Sequence, residues 1–162
     1  MIIGVTGDTH NNLKNIKQIC SIFNKNRADL VLHTGDISLP KSLLAFDQLN
    51  CPLIAVFGNN DIGEAIDLRS ASEQFDCKIY EEPFFFEVEN RKICLLHHPD
   101  LIGKELLDKS DLIFHGHTHR FRKEKINNTI IFNPGECAGI MKGKNKVGLV
   151  NIKSLKIQIF KF

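Results

Sequence analysis

The chain has 162 residues, of which 43% are hydrophobic and 25% charged, and a formal net charge of +2. That length suits a single domain over residues 1–162 with a sizeable core. The near-neutral balance argues against a strongly basic nucleic-acid binder, and the composition contains no disordered tract, linker or repeat.

In chain order, Met1–Thr6 is a short apolar run closed by Gly7-Asp8, the pattern of a buried strand. Asn11 or Asn12 can cap a helix over Leu13–Asn26, with Leu13, Ile16, Cys20 and Phe23 on one face. Leu30–His33 reads as a second strand, closed by Thr34-Gly35-Asp36. Pro40 suits a first helical turn, and the apolar positions that follow extend a second helix to Cys51-Pro52. Leu53–Phe57 is a third strand, ended by Gly58-Asn59-Asn60-Asp61. Strand, helix, strand, helix, strand implies right-handed crossovers and parallel strands, with the polar residues after each strand at one edge of the sheet. Open α/β sheets place their ligands at that edge.

The second part is strand-rich. Asp61–Phe75 is expected to be helical but is weakly patterned. Phe84–Val88 pairs with Lys92–Leu96 around Asn90-Arg91, Gly103–Lys109 is a short helix, and Leu112–Phe114 is a strand ending at His115-Gly116. Hairpins are expected around Asn127-Asn128 and within 147–160. This half reads as mostly antiparallel, so two sheets should pack face to face with helices outside. No apolar run approaches the roughly 20 residues of a membrane span, and the start lacks the basic stretch of a signal peptide. Five scattered cysteines without paired spacing read as reduced thiols of a cytoplasmic protein.

Five polar clusters end five expected strands: Asp8-Thr9-His10, Gly35-Asp36, Gly58-Asn59, His97 and Gly116-His117-Thr118-His119. They offer two carboxylates, an amide oxygen and four imidazoles. A closed tetrahedral zinc site uses about four ligands. Seven suit two ions that share one carboxylate, and Asp36, on the strand beside Asp8, is the natural bridge. Mixed oxygen and imidazole donors favour Mn, Fe, Zn or Ni over Ca or Mg. Two such ions about 4 Å apart hold a hydroxide at neutral pH and neutralise phosphate oxygens during in-line displacement. Each motif is weak alone, and the force lies in their common placement at strand ends. His33 packs either as a partner behind Asp36 or as an ordinary satisfied strand histidine. His115 is read as a supporting residue rather than a ligand. The run Phe84-Phe85-Phe86 is assigned to core and sheet surface, with an exposed protein-binding patch as the lesser alternative.

These motifs, together with Asn133-Pro134-Gly135, resemble the calcineurin-like metallophosphoesterase superfamily, in particular its small, cap-free archaeal and bacterial phosphodiesterases, a branch that also includes a eukaryotic retromer subunit. The resemblance runs from residue 3 to about residue 137. It implies an α/β fold, a four-layer α/β/β/α sandwich of two packed mixed sheets flanked by helices. It also implies two divalent ions, Mn foremost with Ni, Fe or Zn as alternatives. Asp8, His10, Asp36 and His119 would hold one ion; Asp36, Asn59, His97 and His117 would hold the other. The implied reaction is hydrolysis of a small phosphodiester or phosphomonoester. A second copy of the chain is an open partner, whereas a membrane or a nucleic acid is not expected.

The chain departs from the family pattern at the residue after Gly58-Asn59. Many members have a histidine there that assists the leaving group, and here it is Asn60, which has no acid proton. Asn60 therefore predicts a preference for acidic leaving groups such as phenols, unless His98 substitutes as the acid. Pro99 and Glu136 also replace the usual residues. The alternative function is a scaffold of the same fold acting in protein–protein interaction without turnover.

Overall fold

The structure, a computed structural model, describes all 162 residues. Its strands are β1 (Ile2–Thr6), β2 (Leu30–His33), β3 (Leu53–Val56), β4 (Cys77–Tyr80), β5 (Phe84–Val88), β6 (Arg91–Leu95), β7 (Leu112–Phe114), β8 (Arg122–Ile126), β9 (Thr129–Asn133), β10 (Lys146–Asn151) and β11 (Ile157–Lys161). Its α-helices are α1 (Leu13–Lys25), α2 (Pro40–Leu44), α3 (Ala65–Ser72) and α4 (Lys104–Lys109). None is long and apolar enough to cross a membrane.

One sheet has the order β11-β10-β1-β2-β3-β4, and the other β5-β6-β7-β9-β8. In the first, β1, β2, β3 and β4 run parallel, as the alternation of elements requires, and β10 and β11 add antiparallel strands at one side. The second sheet corrects an expectation. Its outer pairs β5–β6 and β8–β9 are antiparallel hairpins, but β6–β7 and β7–β9 are parallel. The reason lies in the connections: α4 carries the chain from β6 back to the start of β7, and β8 intervenes before β9. Both sheets are therefore mixed.

Three apolar clusters separate four layers. Ile16, Ile19 and Phe23 of α1, with Leu43 and Leu68, pack on Val31, Leu53 and Ala55 of the first sheet. Ile3, Val5 and Leu32 meet Ile93, Leu95, Leu112, Phe114 and Phe132 between the sheets. Cys94, Leu96, Ile113 and Ile131 are covered by Leu106 and Leu107 of α4. Burial of this kind, at about 25 cal/mol per Å² of apolar surface, is the main force holding the layers together.

Several local expectations shift. Asn12 is the cap of α1, its side chain accepting from Asn15 N–H. Leu13 does not join the buried face; it is 44% exposed. The second helix stops at Leu44 and tightens into a 3₁₀ turn over Ala45–Gln48. The segment 61–75 is helical only from Ala65 to Ser72 after a 3₁₀ turn, and β4 was not anticipated. Phe84 and Phe86 pack toward the inter-sheet core, whereas Phe85 faces outward.

Candidate metal centre

Each sheet sends its parallel strands toward the same edge, and the loops beyond them interlock. Asp8 N–H donates to Gly35 O (3.0 Å) and His10 N–H to Asp36 O (2.9 Å), stitching the loop after β1 to that after β2. Across the sandwich, His117 N–H donates to Asp8 Oδ1 (3.0 Å), tying the loop after β7 to them. The buried carboxylate of Asp61 accepts from four backbone donors: Asp36 (2.9 Å), Ile37 (2.8 Å), Ser38 (2.6 Å) and Gly58 (2.8 Å). It clamps the loop after β2 to that after β3.

Within this frame Asp8, His10, Asp36, His117 and His119 all adopt positive φ, between 45° and 70°. Non-glycine residues rarely do so, and when they do they cluster at sites where the surroundings hold them. The neighbouring glycines solve a different problem. A Cβ on Gly58 would collide with Asp36 Oδ1, and one on Gly35 would lie 2.8 Å from His97 Nδ1. They allow the loops to close around the side chains.

Two clusters result. In one, His97 Nε2 lies 2.9 Å from Asn59 Oδ1, and His117 Nδ1 lies 3.0 Å from that oxygen and 3.2 Å from His97 Nε2. His97 Nδ1 donates to Thr34 O at 2.8 Å, so Nε2 of the neutral ring presents a lone pair. Burial lowers the pKa of His97 and favours that neutral form. That lone pair faces the amide oxygen of Asn59 at hydrogen-bond distance, a contact that a shared cation would satisfy. In the other cluster, ligand atoms of Asp8, His10, Asp36 and His119 lie within 4.8 Å of one another. His10 Nε2 is 3.8 Å from Asp36 Oδ2, His119 Nε2 is 3.9 Å from Asp8 Oδ1, and the two imidazoles stack at 5.4 Å. Asp36 is oriented toward both clusters, since its Oδ1 lies 3.6 Å from His97 Nε2.

The electrostatics separate the two carboxyls. Burial pushes Asp8 up to about 7, helped by the charges of Asp36 and Asp61 and opposed by the His117 N–H. Its Oδ2 is buried without any hydrogen-bond partner. Burial also raises Asp36, but the Asn60 N–H, the His97 ring and the Asn60 amide outweigh it and hold the carboxyl below its usual range. An orphaned carboxylate oxygen and convergent imidazole nitrogens form a donor set that fits divalent transition-metal ions.

All seven side chains named from the sequence as ligands thus meet at one edge. Asn60 is tied to Asp36, its backbone and side-chain N–H groups donating to Oδ1 (2.9 Å) and Oδ2 (2.7 Å). His98 offers a ring nitrogen within 4.8 Å of those of His97 and His117, while its Nδ1–H donates to Glu82 Oε1. His33 is buried and held neutral, its pKa pushed down to about 3 by burial. It accepts from Gly35 N–H and donates to Thr9 Oγ1 at 2.9 Å, so it braces the loops and does not face the clusters. His115 is similarly neutral, lowered to about 4 by burial, and donates to Gly116 O. Glu136, whose role was open, accepts from the N–H groups of Ile140 and Met141 and shapes the loop beside His119.

Sequence reasoning missed the supporting roles of Asp61, Glu82 and Thr34. Asp61 stood inside a recognised motif, so position was a signal even though its four bonds were not. Glu82 accepts from the backbone of His97 (2.5 Å) and His98 (2.9 Å) from the loop between β4 and β5, for which the sequence held no signal.

The sequence profile of the calcineurin-like phosphoesterase superfamily domain matches residues 1–155. A phosphodiesterase of Methanocaldococcus jannaschii is 32% identical over 155 residues, covering 93% of each chain. Among solved structures, an archaeal phosphodiesterase superposes with a TM-score of 0.89 at 28% identity over 100% of both chains. The zinc complex of Vps29 from Entamoeba histolytica reaches a TM-score of 0.68 at 19% identity, covering 99% of this chain and 91% of that one, a likeness of fold alone. With the fold, the strand-end cluster of Asp and His side chains and a profile spanning nearly its full length in agreement, this chain belongs to the calcineurin-like phosphoesterase superfamily.

Proposed function

We propose that this chain is a phosphodiesterase that works with two divalent ions, Mn foremost and Ni, Fe or Zn as alternatives. Asp8, His10, Asp36 and His119 would hold one ion; Asp36, Asn59, His97 and His117 would hold the other. The observation that carries this reading is the meeting of His97 Nε2, His117 Nδ1 and Asn59 Oδ1 within 3.2 Å. It is supported by the orphaned Asp8 oxygen and by Asp36, whose two oxygens face different clusters. Bound ions of this kind supply a water-derived nucleophile at neutral pH for in-line attack on phosphorus and neutralise phosphate charge.

The chain's own residues do the rest. Thr34 O fixes the tautomer of His97, and Asn60 fixes the rotamer of Asp36. Asn60 has no proton for a leaving group, so diesters of acidic alcohols such as phenols are favoured. His98, its ring held on Glu82, is the remaining candidate to protonate a leaving oxygen. All five cysteines are unpaired thiols, which suits a reducing, cytoplasmic setting. A scaffold without turnover predicts lost ligand positions, and here all seven are present.

The test is hydrolysis of bis(4-nitrophenyl) phosphate by the purified protein with Mn²⁺. Activity is expected with the wild type and none with Asp36→Ala or His97→Ala. Full activity in Asp36→Ala would end the two-ion reading.

A further inference from the structure

The rim of the candidate centre is asymmetric. On the His10 side, a cavity of ≈ 440 Å³ has no lysine, arginine or carboxylate in its lining, which includes Leu13, Ala138 and Ile140. On the His119 side, a cavity of ≈ 250 Å³ is lined by Arg120, Phe121, Lys144 and Lys146. The loop 136–141 divides them, and it is anchored: Asn12 donates to Ala138 O (2.7 Å), Asn15 to Cys137 O (2.8 Å), and Glu136 accepts from Ile140 and Met141. The wall therefore stands without a ligand.

The cations of the smaller cavity have no acidic partner. No carboxylate lies within 4.0 Å of Arg120, Lys144 or Lys146, although exposed ion pairs occur elsewhere on the molecule. The one acid in the wall, Glu136, is 1% exposed and has both oxygens engaged by backbone N–H groups. Lys146 is half-buried and held over the Phe121 ring at 4.9 Å. Phe121 itself is 44% exposed beside these cations. Unpaired cations next to an open aromatic ring form a seat for an anionic oxygen cluster borne on a flat or sugar-like arm.

Resting on the phosphodiesterase reading above, we propose that this pocket binds a second anionic group on the substrate. The substrate class is a phosphodiester with one ester arm that carries a further phosphate, as in a phosphorylated nucleotide ester. The reacting phosphate sits at the two clusters, and the additional phosphate sits against Lys144, Lys146 and Arg120. Neutral arms have no such partner and rely on the cavity beside His10, which offers no lysine or arginine.

The experiment compares two esters with the same leaving group, thymidine 5′-(4-nitrophenyl phosphate) and the same compound bearing a 3′-phosphate, with Mn²⁺ present. Release of 4-nitrophenolate is followed, and the readout is the ratio of their kcat/KM values. The wild type is expected to favour the 3′-phosphorylated ester by about tenfold, chiefly through KM, with the preference shrinking as salt is raised. In Lys144→Ala/Lys146→Ala the ratio should collapse toward one, and in Lys144→Arg it should persist. A ratio near one in the wild type, or one unchanged in the double variant, overturns the inference and leaves the phosphodiesterase reading standing. Failure to hydrolyse either ester removes that reading and this inference with it.

Discussion

His97 and His117 approach Asn59 to 2.9 and 3.0 Å, whereas His10 and His119 stand 3.8 and 3.9 Å from the carboxylates of Asp36 and Asp8. The close contacts join imidazole nitrogens to an amide oxygen, with no carboxylate between them. The open half contains two carboxyls, one buried so deeply that its pKa rises to about 7. Bringing charged oxygens together in a poorly solvated pocket costs folding free energy that neutral imidazoles avoid. The fold thus tolerates a preformed close half cheaply, but it carries the open half as a standing destabilisation that a bound cation would relieve.

The largest expected effect tests whether Asp36 joins the halves. Asp36→Ala should remove both ions and lower diester hydrolysis by about a thousandfold or more, since charge stabilisation by such ions is worth several kcal/mol. His10→Ala should remove only the ion of the open half. Metal content by elemental analysis after gel filtration separates the two outcomes: about zero ions per chain for the first, about one for the second. Equal metal loss in both variants would mean that the halves do not fill independently.

Next in size is the cost of Asp8. Its carboxyl is raised in the folded state, so the metal-free fold loses stability as pH climbs from the unfolded value of 3.8 to about 7. Above pH 7 the full penalty applies, on the order of 2–4 kcal/mol. Asp8→Asn keeps the acceptor for His117 N–H and removes the charge. The variant should therefore be more stable than the metal-free wild type in urea at pH 8, with its advantage fading toward pH 4. Saturating Mn²⁺ should narrow the gap by stabilising the wild type alone. A wild type that matches the variant at pH 8 without metal would show that Asp8 carries no such burden.

The same contrast explains how much was legible beforehand. The polar side chains of the site and their strand-end placement are written locally: a buried apolar run, a turn, then Asp8, Asp36, Asn59 or His117. The parallel core β1–β3 followed from the alternation of elements, whereas β4 (Cys77–Tyr80) did not register because exposed Lys78 interrupts its apolar run. The parallel pairing of β7 with both neighbours was hidden because order along the chain does not fix order in the sheet. Gly35 takes the left-handed conformation that glycine favours, but so do Asp8, Asp36 and His117, whose residue types do not announce it. Such strain is imposed by tertiary hydrogen bonds, including the four to Asp61, and leaves no local trace.

The smallest effects should come from the groups that orient each half. Glu82 accepts from the backbone of His97 and His98 and from the His98 ring. Glu82→Gln turns one acceptor into a donor facing a donor, so activity should fall about tenfold, the loss expected when an outer partner of a ligand is disturbed. On the open half, His10 Nδ1 has only the Ser38 hydroxyl at 3.2 Å, a contact that a water can replace because His10 is partly exposed. Ser38→Ala should therefore cost less than about threefold in the same activity assay, below the usual range for such partners. His97 Nδ1 is fixed by a backbone carbonyl, which no side-chain substitution deletes. If Ser38→Ala proves as damaging as Glu82→Gln, the open half depends on its orienting partner as much as the close half does, and the contrast between a preformed and a cation-assembled half collapses.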